Sequence, residues 1–109
     1  MQVAQTIINQ IKAQDKMALW AWGANEYIAL PEDDDSFGGL QFKIKTPKYK
    51  RGVKVRITLN GSDLYDIEVI RVSGAKVKVL DTANDVYADM LIEVLDELIE
   101  GDQKGEIFF

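Results

Sequence analysis

With 109 residues, no cysteine, no histidine and a net charge of −5, the chain makes one domain. It lacks disulfides, thiol catalysis, cysteine-based zinc sites and the commonest general base. An apolar share of 47% and a charged share of 28% are those of an ordinary globular protein, and no apolar run approaches the roughly 20 residues that span a bilayer. No basic segment followed by an apolar run marks a signal peptide. The charge is segregated: −4 over residues 1–35, +7 with no acid over 36–62, and −8 over 63–109. A basic surface can therefore exist on an acidic protein.

Val3, Ile7, Ile8 and Ile11 recur at helical spacing and predict a helix from about Gln2 to Gln14. The apolar run Met17–Trp22, ended by Gly23, reads as a short buried strand with Trp20 and Trp22 on one face. An irregular connection follows, with a short extended piece at Tyr27–Leu30 and the acidic loop Glu32–Asp35. Three segments then alternate with period two: Leu40, Phe42 and Ile44; Val53, Val55, Ile57 and Leu59; Tyr65, Ile67 and Val69. Such strands bury one face and leave the other to water, as in an antiparallel sheet. Thr46–Gly52 and Asn60–Asp63 are the turns, Val77 and Val79 extend the meander, and the apolar phase slips near Ile70–Val72, where a bulge is expected. Asn84 or Asp85 is expected to cap a final helix. Its stripe is Tyr87, Met90, Leu91, Val94, Leu98 and Ile99, and Gly101 stops it. The expected fold is α+β. An antiparallel meander of four or five strands carries an N-terminal and a C-terminal helix on its apolar face, as one domain over 1–101 with a tail at 102–109.

The segments "VAQTII", "VKVRITLNGSDLYDIEV" and "DVYADMLIEVL" resemble a family of small uncharacterised proteins of bacteriophages and prophages. That family has an N-terminal helix, a "KITLNxSDxYDxE"-type meander and a "VYADxLxEVF"-type final helix. The segment "WAWGANEYIALPEDDD" departs from that pattern and is more acidic. The resemblance implies a shared fold, a phage origin and a cytoplasmic place in an infected bacterial host. It brings no activity, cofactor or catalytic residue.

The stretch "KIKTPKYKRGVKVR", Lys43 to Arg56, holds seven cations and no acid. The expected register sets Lys45 against Lys54 and Lys43 against Arg56, like-charge pairs that do not stabilise a sheet. A three-residue turn after Leu59 would set Arg56 beside Asp66 and Lys54 beside Glu68, as ordinary ion pairs. One reading is nucleic-acid binding, with Lys43, Lys45, Lys48, Lys50, Arg51, Lys54 and Arg56 on the phosphates of a single strand and a base stacked on Tyr49. The other is a lysine-bearing sheet face that resists edge-to-edge aggregation.

Glu32–Asp35 lacks the spacing of a calcium loop and reads as solvated, and no metal or cofactor is expected. Asp66 and Glu68 share a strand face, but no phosphate loop or serine elbow accompanies them, and no enzyme is expected. Asp89, Glu93, Asp96, Glu97 and Glu100 line the outward side of the final helix. They form either a solvated face or a surface that mimics nucleic-acid charge toward a basic protein. Phe108 and Phe109 end the chain as an apolar tip that docks on the sheet or on a partner. The function expected is that of a non-enzymatic phage accessory protein. Its first candidate partner is single-stranded nucleic acid. The alternatives are a host or phage protein, bound by an inhibitor or adaptor surface on the acidic helix or tail, and a second copy in a homodimer; no membrane is involved.

Overall fold

The computed structural model describes residues 2–34, 36–46, 49 and 53–106, with side chains described between residues 3 and 100. Helix α1 (Gln2–Gln14) and a one-turn helix α2 (Ala18–Ala21) precede strands β1 (Asn25–Leu30), β2 (Gly39–Ile44), β3 (Val53–Leu59), β4 (Tyr65–Ser73) and β5 (Lys76–Val86). A 3-10 turn (Ala88–Met90) then leads into helix α3 (Leu91–Glu106). The strands form one antiparallel sheet in the order β1-β2-β3-β4-β5. The expected α+β meander is thus present with five strands, the Tyr27–Leu30 piece supplying β1.

Alternation accounts for the layers. Leu40, Phe42, Ile44, Val53, Val55, Ile57, Tyr65, Ile67 and Val69 are buried on one sheet face. Ala4, Ile7 and Ile11 of α1 and Leu91, Leu95, Leu98 and Ile99 of α3 are buried in the same core. The side chain of Gln14 ties the two helices together. Its amide nitrogen donates to the Ala88 carbonyl (2.6 Å), and its oxygen accepts the Ile92 N–H (3.2 Å) at the start of α3. That contact from α1 does the work expected of Asn84 or Asp85, which lie within β5 instead. An unpaired N–H at a helix start needs an acceptor, and a distant side chain serves as well as a local one.

Other expectations are corrected. Met17–Trp22 is not a strand. Ala18–Ala21 is helical, which turns Trp20 outward at 78% exposure and Trp22 inward at 1%. The stripe of the final helix begins at Leu91 and includes Leu95, while Tyr87 and Met90 are exposed. Gly101 does not end α3, which runs to Glu106; residues 107–109, with Phe108 and Phe109, lie outside the described residues.

The expected bulge lies between Val69 and Ile70, and the extra residue is on β5. A second β5 irregularity falls opposite Tyr65–Ile67, where Asp85 has a φ of +56°. Two bulges, together with Lys76 and Lys78, are devices that oppose addition of a further strand to this edge.

Tyr65 reaches from the sheet to α1, donating its hydroxyl to Gln10 Oε1 at 2.7 Å. Burial pushes its pKa up, partly offset by the Gln10 hydrogen bond. A raised folded pKa means the unfolded chain releases this proton first. The associated stability is therefore present below the ordinary tyrosine value of about 10 and lost as pH rises through the folded value. Urea midpoints measured from pH 8 to 11 are expected to fall at the top of that range, and less steeply in Tyr65→Phe.

Candidate functional site

The register redistributes the cations. Lys43 faces Lys54, and Gln41, not Lys43, faces Arg56. Pairing of β2 with β3 ends at Ile44–Val53 because the next N–H groups go elsewhere: Lys45 donates to Trp22 O (2.9 Å) and Thr46 to Tyr49 O (3.0 Å). The same turn carries Tyr49 into the core at 8% exposure, so the expected stacking platform is a core residue. Lys43 forms an ion pair with Glu26 at 3.3 Å. Lys45 is exposed and Lys54 half-buried, while Lys48, Lys50 and Arg51 lie outside the described residues.

The turn after Leu59 holds five residues, since Leu59 pairs with Tyr65. Asn60 builds it: its side-chain oxygen accepts the N–H groups of Ser62 and Leu64 (2.9 and 3.2 Å). Its amide nitrogen donates to Asp66 Oδ1 (3.0 Å) and Asp85 Oδ1 (2.9 Å). The odd count keeps Ile57 and Tyr65 on one face, but the extra pair of residues sets Arg56 against Glu68 and Lys54 against Ile70, not against Asp66 and Glu68.

The open sheet face therefore carries a row Gln41–Arg56–Glu68–Thr82 across four strands. Arg56 donates from Nε and one terminal nitrogen to Gln41 Oε1 (3.1 and 3.0 Å), and its other terminal nitrogen stands 4.0 Å from Glu68. Gln41 is only 8% exposed, so the guanidinium is held in a fixed plane. The loop after β1 folds beside this row. Phe37 N–H donates to Leu59 O, Leu59 N–H to Gly38 O, and Asp33 and Ser36 close a turn through Asp33 N–H to Ser36 O and Ser36 N–H to Asp33 Oδ1. Loop and sheet enclose a concavity of about 570 Å³ lined by Leu30, Pro31, Asp33, Ser36, Arg56 and Glu68, with Thr58, Asp66, Thr82 and Asn84. Among the described residues, no three carboxylates converge closely enough to hold a metal ion.

A second, apolar groove of about 400 Å³ lies between the end of β5 and α3, lined by Ala83, Val86, Tyr87, Met90 and Val94 together with Asn84 and Asp85. Tyr87 is 63% exposed and Met90 exposed beside it. Asp89, Glu93 and Glu97 are exposed and recur every fourth residue, so they run beside the Met90–Val94 stripe. Glu100 is half-buried. So is Asp96, expected on the outward side, which accepts the Trp22 indole N–H at 3.4 Å. The groove escapes periodicity because Tyr87 and Met90 sit at helical spacing with residues that are buried. No helix among the described residues is long and apolar enough to cross a membrane. Comparison with protein-family models, with curated proteins and with solved structures finds no match to this chain.

Proposed function

We propose that the chain is a small non-enzymatic accessory protein of phage type that binds a protein partner through the β5–α3 groove. The observation that carries this reading is the exposure of Tyr87 and Met90 at an apolar groove flanked by Asp89, Glu93 and Glu97. Aromatic and Met side chains are the residues from which interface anchors are built, and acids beside them select a partner with basic residues around an apolar anchor. Part of the acidity serves the fold, because Asp89 and Glu93 near the helix start complement its dipole.

The second reading, nucleic-acid contact by the hairpin, is favoured by one observation: Lys43 and Lys54 are held directly opposite one another. Glu26 already offsets Lys43 at 3.3 Å, so the charge left for an incoming anion is chiefly that of Lys54 beside it.

Affinity capture from bacterial extract with wild type, Met90→Glu and Glu93→Lys separates the readings. A protein retained by wild type and weakened by about 2 kcal/mol or more in Met90→Glu, roughly thirtyfold in Kd, supports the groove. Its affinity also falls in Glu93→Lys. Met90 is exposed, so Met90→Glu is expected to melt near wild type, while Glu93→Lys reverses a charge that complements the helix dipole and is expected to cost about 1 kcal/mol or less. Capture indifferent to both substitutions overturns the groove reading. Salt-sensitive binding to single-stranded oligonucleotides, lost in Lys43→Glu, moves the function to the hairpin.

A further inference from the structure

We infer that the concavity on the open sheet face is a binding site for a small aliphatic polyamine, independent of the β5–α3 groove. Its walls set the sign of the ligand. Asp33, Asp66 and Glu68 contribute three carboxylates against the one guanidinium of Arg56. That guanidinium spends two of its nitrogens on Gln41 Oε1, itself almost wholly buried. An anion entering here would meet three carboxylates around a guanidinium already engaged by Gln41 and 4.0 Å from Glu68, whereas ammonium groups meet acceptors on several sides.

Size and texture narrow the class. At about 570 Å³ the space suits an organic molecule rather than an ion, and the carboxylates do not gather at one point as a metal requires. They stand apart instead, with the apolar Leu30 and Pro31 as wall and the hydroxyls of Thr58, Thr82 and Ser36 as further acceptors. Separated negative charges with an apolar wall match ammonium groups joined by methylene spacers.

The site is also built in advance. Arg56, Glu68 and Thr82 stand in one cross-strand row on the sheet. Asp66 is fixed by hydrogen bonds from the Asn60 amide and the Asp85 N–H to its Oδ1 (both 3.0 Å). The loop wall is tied to β3 at Phe37–Leu59 and Leu59–Gly38. Preorganised acceptors reduce what a flexible ligand must overcome on binding.

The test is an amide and arginine side-chain NMR titration of the full chain with spermidine at low ionic strength. Saturable shifts are expected at Ser36, Thr82 and Asn84 and at Arg56 Nε, and they weaken with added salt. Glu68→Gln removes one carboxylate and is expected to weaken spermidine about fivefold. Thr82→Phe, at an exposed edge-strand position, fills the concavity and abolishes binding while the chain stays folded. Shifts confined to Asp89 on the 3-10 turn and Glu93 and Glu97 on α3, or spermidine affinity unchanged in both variants, would overturn the proposal. So would inorganic phosphate producing the same shifts, or no saturation in the millimolar range. None of these results depends on whether the β5–α3 groove captures a protein.

Discussion

Trp22→Ala is expected to lower stability by about 3–5 kcal/mol, a large part of the roughly 5–15 kcal/mol a domain of this kind has. Trp22 is 1% exposed and lies parallel to Phe42, with ring centroids 6.5 Å apart and an interplanar angle of 3°. Its indole N–H reaches Asp96 on α3, and its carbonyl accepts the Lys45 N–H that ends the β2–β3 ladder. One residue thus joins α2, the sheet and α3, and truncation leaves a ring-sized cavity that rigid strands cannot collapse. The melting temperature should fall by more than about 10 °C. Trp20→Ala, two residues away and 78% exposed, is expected to stay within about 0.5 kcal/mol of wild type. Equal losses from the two tryptophans would contradict this assignment.

Those tryptophans also mark where local pattern stops being informative. A run of six apolar residues, Met17–Trp22, fits a buried strand or a helical turn equally well. In a strand Trp20 and Trp22 share a face; in a helical turn they diverge, and only the second places one on Phe42 and the other in water. Where polar residues alternate with apolar ones the ambiguity disappears, which is why β2, β3 and β4 and the one-sided core are legible from residues such as Phe42, Val55 and Ile67. Helix α1 matches its expected bounds because its apolar residues recur over three turns.

Register was legible only in parity. Phase requires even residues of β2 to meet odd residues of β3, and the pairs Leu40–Ile57 and Phe42–Val55 obey it. Two-residue offsets leave phase untouched, and the loops decide them. Burial of Tyr49 lengthens one turn and the side-chain bonds of Asn60 lengthen the other. That offset moves Arg56 from Asp66 to Glu68 and from Lys43 to Gln41, which replaces the expected row Lys43–Arg56–Asp66 by Gln41–Arg56–Glu68. The concavity was illegible for the same reason. Its floor residues are individually visible as the polar half of each alternation, but its wall, Leu30, Pro31, Asp33 and Ser36, reads only as an irregular acidic connection until the bonds of Phe37 and Gly38 to Leu59 place it beside the sheet.

Gly39→Ala tests that wall directly, and its expected cost is about 3 kcal/mol or more. A β-carbon at Gly39 would run into the Ile57 carbonyl oxygen and stand 2.9 Å from Ile57 C and Thr58 Cα. All three are backbone atoms of the central strand β3, so no side chain can swing aside. Relief requires β2 to lift from β3 where Gly39 pairs with Thr58 on one side and Leu30 on the other. Gly38 before it has a φ of +108°, a conformation open to glycine and strained for other residues, so the segment cannot readily rearrange to absorb the shift. The urea midpoint should fall. Amide-exchange protection should fall first at Phe37 and Leu59, whose N–H groups hold the loop to β3. Spermidine shifts should weaken in whatever fraction of the chain stays folded, because Leu30, Pro31, Asp33 and Ser36 leave their places around Arg56. Gly61→Ala is the matched control: its added methyl meets nothing within 4 Å, and stability should hold or rise by a few tenths of a kcal/mol or so. Wild-type melting in Gly39→Ala would mean that the backbone of β2 does not approach β3 this closely, and the concavity would lose the seam on which its wall depends.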